Sequence, residues 1–201
     1  MESRFRELSA ALKSEQYTRY AMYRSHIDFV EKHFAQILSK DTKIIEFGGS
    51  NGFLELVFKG SDYKIADNYP AVDVEDLSAF DDNYYDVVIL DEVLEHVRKP
   101  WKAVSNIHRI LKPGGYLISS SPFMIAEHKC PLDYWRFTKD GLGVLLEDFK
   151  EVQLHSWGNP KSVEYLLNGM MVSSEQAMND EVFDLENQDK YAITVWAYAK
   201  K

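Results

Sequence analysis

Apolar residues recur at two spacings along the chain, and the switch between them divides it into helices and strands. Over residues 2–39 the spacing is helical: Phe5, Leu8 and Leu12 share a face, as do Tyr23, Ile27, Val30 and Phe34. From Lys43 short apolar runs take over. Residues 43–47 read as a first strand, residues 52–59 as a short helix, and Tyr63–Asp67 as a second strand ending in an acid. Asp86-Val-Val-Ile-Leu-Asp91 is the strongest strand signal, and its unbroken apolar run suits a parallel strand buried on both faces. Pro100 fits the first turn of a helix. That helix sets Trp101, Val104, Ile107 and Leu111 along one core-facing stripe and stops at Lys112-Pro-Gly-Gly115, which reads as a turn. Tyr116–Ser121 follows as a strand. Thr138 is placed to cap a helix running through Leu146. Glu151–Trp157 is a further strand, Asn159-Pro160 opens a helix ending near Gly169, residues 179–190 read as an acidic loop, and Tyr191–Ala199 is the last strand.

Strands alternating with helices predict an α/β fold: a Rossmann-like, doubly wound, mostly parallel sheet flanked by helices. No repeat or linker interrupts the pattern, and 201 residues suit one domain. Residues 1–40 form a helical N-terminal cap, 43–157 the core, and 158–201 the substrate-side helices and last strand.

Three of the ten glycines, Gly48, Gly49 and Gly52, lie in the turn after the first strand. Glycine there lets the backbone turn tightly and a ligand approach closely. Strand, glycine-rich turn and helix together make the nucleotide crevice of a doubly wound sheet.

Charge and composition narrow the partners. A net charge of −9 argues against a protein whose main partner is the nucleic-acid backbone. No apolar run reaches the ~20 residues of a membrane span, and the N-terminus lacks the apolar core of a signal peptide. One cysteine, Cys130, forbids an internal disulfide and is read as inert; these features imply a cytoplasmic protein. His26, His33, His108 and His155 lack ligand spacing, so no metal site is expected. Nothing in the pattern fixes an oligomeric state.

Four segments, in order, resemble the class I S-adenosylmethionine-dependent methyltransferases of the small, single-domain, type 11-like kind. They are Glu46-Phe-Gly-Gly-Ser-Asn-Gly52; Asp67, twenty-one residues after Glu46; Phe80 through Val97, with its Asp86–Asp91 strand; and Arg109-Ile-Leu-Lys-Pro-Gly-Gly-Tyr-Leu-Ile118. The stretch Asp133-Tyr-Trp-Arg-Phe-Thr138 resembles a segment of family members that act on sugars or other small molecules.

The resemblance implies a seven-stranded sheet, S-adenosylmethionine as cofactor, S-adenosylhomocysteine as product, and a small-molecule acceptor methylated on oxygen or nitrogen. It implies that Phe47, Gly48, Gly49, Ser50 and Gly52 pass close to the methionine portion, with Glu46 orienting the turn and reaching the ammonium directly or through water. Asp67, beside Asn68, would accept from both ribose hydroxyls. Asp73, beside Val74, would accept from the adenine amino group, with Asp76 as the alternative. Leu90, Asp91 and Glu92 would line the methionine side. His128 or His96 is the candidate base, with Asp133 behind; Tyr134, Trp135 and Arg136 are candidate substrate contacts. Two departures stand out: Ser50 replaces a glycine, and only five residues separate Asp67 from Asp73, so the helix between the second and third strands is missing or reduced. They keep a second reading open, a catalytically inactive module of the same fold that binds the cofactor or its product.

Overall fold

The computed structural model describes residues 19–35, 38–48, 52–66, 72–167 and 186–201. Among them are helix α1 (Tyr20–Phe34), β1 (Lys43–Gly48), α2 (Phe53–Val57), β2 (Asp62–Ile65), β3 (Tyr85–Asp91), α3 (Pro100–Ile110), β4 (Leu111–Pro122), α4 (Lys139–Leu145), β5 (Glu151–Trp157), α5 (Pro160–Leu167) and β6 (Thr194–Lys200). The strands form one sheet in the order β2-β1-β3-β4-β6-β5. β2, β1, β3 and β4 run parallel, while β6 is antiparallel to both β4 and β5.

The central strands are apolar on both faces because both faces are covered. Ile45, Phe47, Val88, Leu90 and Leu117 pack under Ala103, Val104, Ile107 and Ile110 of α3 and Leu142 of α4. Alternate residues Ile44, Val87, Ile89 and Ile118 point the other way, into α1 and α2 through Tyr23, Ile27, Val30, Phe34 and Leu54. α1 is docked further by Phe29, stacked on Tyr198 at 3.9 Å, and by a 2.9 Å hydrogen bond between His26 Nδ1 and the Tyr198 hydroxyl.

Three expectations change. The sheet has six strands among the described residues, not seven. Between β2 and β3 the described chain makes only a single antiparallel bridge between Asp73 and Asp76, closed by Asp73 Oδ1 accepting from Glu75 N at 2.8 Å. Lys112–Gly115 is not a turn ahead of the strand but a bulge inside β4: Tyr85 pairs with Leu111 and Val87 with Tyr116. Gly114 takes φ +81°, and a Cβ on Gly115 would sit 3.0 Å from Asp86 O, so the bulge needs both glycines. Trp101 leaves the core stripe: it is 56% exposed and meets Trp135 edge to face. The Thr138 cap forms as expected, its Oγ1 accepting from Gly141 N at 3.0 Å.

Candidate active site

The order β2-β1-β3-β4 reverses direction between β1 and β3, so their carboxyl ends open a switch-point crevice. Gly48 closes β1 and is in register with Asp91, the last residue of β3. Gly48 has φ +103°, and a Cβ there would lie 2.4 Å from Asp91 O and 2.5 Å from Val93 Cγ2. Only glycine lets the two strand ends come this close.

Asp91 is buried and saturated. Its Oδ2 accepts from Arg19 Nη1 and from the Tyr23 hydroxyl, each at 3.0 Å, and its Oδ1 accepts from Ser120 Oγ at 2.7 Å. Burial, then the Asp91 charge, pushes the Tyr23 phenol well up, so it stays a donor. Helix α1, which precedes the sheet in sequence, thus reaches over the crevice edge. Sequence reasoning missed Arg19, Tyr23 and Ser120; the one available signal was the run Ser119-Ser120-Ser121, polar where a core strand should be apolar.

Glu46 is also buried. Its Oε2 accepts from the Tyr63 hydroxyl on the neighbouring strand at 2.5 Å. Burial, then the Glu46 charge, raises the Tyr63 phenol, which holds the proton on tyrosine.

Beyond Asp91 the chain strains and then tucks in a second pair of acids. Glu92 adopts φ +55°, a left-handed backbone that costs a non-glycine residue about 1–3 kcal/mol and that collects at functional sites. Its N–H donates to Ser120 Oγ at 3.0 Å, and its Oε1 is buried with no hydrogen-bond partner. A tight helical turn, Leu94–His96, buries Glu95 completely. Burial raises both carboxyls; Arg19 opposes the shift at Glu92, and the Glu92 charge adds to it at Glu95.

The loop after β4 is clamped onto that turn. Tyr134 N and Trp135 N donate to Glu95 O at 2.7 and 3.2 Å, and Trp135 Nε1 donates to Val97 O at 2.8 Å. His128 is thereby brought beside His96, ring centres 5.0 Å apart, with its Nδ1 3.4 Å from Asp133 Oδ2. Burial and the neighbouring His96 lower the His128 imidazole. Arg136 grips both oxygens of Asp133, at 2.5 and 2.6 Å, and holds that carboxyl down at about 2. The Arg136 fork is therefore committed to the loop, whereas Tyr134 and Trp135 stay exposed beside it.

The other expected cofactor residues divide. Phe47 and Leu90 are core side chains that can offer only backbone to the crevice. Val74 is also core, and its carbonyl is taken by Asn106 Nδ2 at 3.0 Å. Asp73 spends one oxygen on its own turn. Gly52 caps α2 at φ +81°. Gly49, Ser50, Asp67 and Asn68 lie outside the described residues.

A family model described as a methyltransferase domain matches residues 50–119. No relative among curated proteins matches the chain. Solved structures do. A S-adenosylmethionine-dependent methyltransferase from Archaeoglobus fulgidus aligns with TM-score 0.56 and 16% identity over 96% of this chain and 97% of its own. A Galdieria sulphuraria protein provisionally assigned as a sarcosine dimethylglycine methyltransferase aligns with TM-score 0.57 and 13% identity, over 88% and 84%. The [4+2]-cyclase SpnF aligns with TM-score 0.50 and 16% identity, over 88% and 80%, so the fold does not name the reaction. The chain has the fold of S-adenosylmethionine-dependent methyltransferases, and residues 50–119 match the model of a methyltransferase domain.

Proposed function

We propose that the protein transfers a methyl group from S-adenosylmethionine to an oxygen or nitrogen of a small molecule. The observation that carries this reading is the switch-point crevice itself. Gly48 ends β1 with no side chain of its own, packed against Asp91 O and Val93, and Glu92, the residue after Asp91, keeps a buried carboxylate oxygen, Oε1, without a hydrogen-bond partner. An orphaned buried acceptor suits a cationic ligand such as the cofactor's α-ammonium. Gly48, Gly52 and Glu92 would hold the methionine portion, and Asp67 would take the ribose.

S-adenosylmethionine, when bound, supplies a methyl group made electrophilic by its sulfonium. The protein's own residues align and desolvate the acceptor. Tyr134 and Trp135, both exposed, would offer aromatic faces to a small acceptor. His96 or His128 would take the proton of a hydroxyl acceptor, and Asp133, kept ionised by Arg136, would orient His128. An acceptor amine that is already neutral needs no such base.

The net charge of −9 supports a small acceptor rather than nucleic acid. The test is incubation with methyl-labelled S-adenosylmethionine and a panel of hydroxylated and amine metabolites. Label transferred to an acceptor, with S-adenosylhomocysteine formed in equal amount, supports the reading. Cofactor binding with no turnover on any acceptor favours the inactive module.

A further inference from the structure

Sequence spacing gave no hint of a metal site, because its parts lie 32 residues apart in the chain and only folding joins them. One ligand atom each of Glu95, His96 and His128 falls within 4.8 Å of the others. The protonation geometry makes this more than proximity. His96 Nδ1 lies 2.5 Å from Leu132 O, and a carbonyl can only accept, so Nδ1 carries the proton. That leaves the lone pair of Nε2 facing Glu95 Oε1 at 3.6 Å, too far for a hydrogen bond. Glu95 is fully buried, and Oε1 has no hydrogen-bond partner. Glu95 Oε1 and His96 Nε2 therefore face each other without a hydrogen bond, at a spacing that two ligands of one ion would have.

The surroundings resemble the outer shell of a metal site. His96 donates its remote N–H to a backbone carbonyl. His128 leans its Nδ1 toward Asp133, which Arg136 fixes in place, leaving Nε2 as the free nitrogen. Both are the arrangements by which imidazole ligands are oriented. Ser121 Oγ holds the other Glu95 oxygen at 3.3 Å.

We propose that Glu95, His96 and His128 bind a divalent first-row transition cation. Two imidazoles and one carboxylate suit Zn²⁺, Co²⁺ or Fe²⁺ better than Mg²⁺ or Ca²⁺, and three protein ligands leave positions open. Resting on the methyl-transfer reading above, the inference also names the acceptor class. An ion here would take a hydroxyl of the acceptor as a ligand and make it acidic, in place of direct proton removal by an imidazole. Hydroxylated acceptors are then favoured over amines.

The test is calorimetric titration of Co²⁺ and Zn²⁺ into the chelator-treated full chain, with the visible ligand-field spectrum of the Co²⁺ form. S-adenosylhomocysteine binding is measured on the same samples. One ion per chain is expected. Glu95→Gln and His128→Ala should each weaken binding at least about 100-fold, Asp133→Asn about 10–100-fold, and Cys130→Ser not at all. Retained S-adenosylhomocysteine binding shows that the variants are folded. No binding by the wild type, equal binding by the ligand variants, or loss on Cys130→Ser overturns the site. S-adenosylhomocysteine binding without metal binding sinks this inference alone. Metal binding without S-adenosylhomocysteine binding sinks the methyl-transfer reading and leaves the site standing.

Discussion

Replacing Gly48 by alanine separates the two demands that the crevice makes on this position. The first is conformational: at φ +103° an L-residue is strained by about 1–3 kcal/mol. The second is steric. The new methyl would sit 2.4 Å from Asp91 O, a backbone atom that cannot rotate away, and 2.5 Å from Val93 Cγ2. Overpacking of that kind costs a further ~1–3 kcal/mol. Gly60 supplies the control, since it has nearly the same dihedral, φ +105°, and no atom within 4 Å of where its Cβ would be. Gly60→Ala should therefore lose only the backbone share. In urea denaturation Gly48→Ala should be less stable than Gly60→Ala by about 1–3 kcal/mol. Only Gly48→Ala should weaken S-adenosylhomocysteine binding, because relieving the clash must move the β1 and β3 ends apart. Equal stability of the two variants, or full binding by Gly48→Ala, would refute the argument that the strand ends need glycine to meet.

His26 is buried against Tyr198, and burial lowers its pKa from 6.5 to about 4. Between those values the unfolded chain binds a proton that the folded protein refuses, so stability falls as pH drops from 6.5 towards 4, by about 3 kcal/mol in all. In denaturation series at pH 7 and pH 4, His26→Gln should lose less stability on acidification than the wild type; identical losses would remove His26 as the cause. Asp91→Ala leaves the Tyr23 hydroxyl and Ser120 Oγ short of a buried acceptor and removes the Arg19 ion pair. It should cost about 3–5 kcal/mol in thermal or urea unfolding, and a cost under about 1 kcal/mol would mean that the network is ornamental. Thr138→Ala should cost about 1 kcal/mol of stability through the lost cap and leave cofactor binding unchanged by calorimetry.

The core of the fold was legible because burial on both faces leaves a plain mark. Val87–Leu90 could be nothing but a central strand, and Pro100 and Thr138 announced their helices by local chemistry. Failures came where distant residues decide. Lys112–Gly115 has the composition of a turn, and only pairing with β3 makes it a bulge. Trp101 fits a helical stripe, but its place at the start of α3 leaves it out in solvent against Trp135. Gly48 was singled out for a tight turn and a ligand's approach, whereas the structure shows it meeting the backbone of Asp91 at the end of β3. Its neighbour across the crevice, Asp91, was expected to line the cofactor's methionine side. In the structure it is occupied by Arg19 and Tyr23, a pairing 72 and 68 residues apart in sequence that periodicity cannot show. Glu95 drew no assignment from the sequence, and its complete burial beside two histidines emerges only when the loop after β4 folds back.

The proposed function requires that the crevice between β1 and β3 hold the cofactor. Calorimetric titration of S-adenosylhomocysteine into the full chain should give one site, with binding sharply weakened by Asp67→Ala and by Gly48→Ala. An absence of binding by the wild-type protein, or equal binding by both variants, would contradict it.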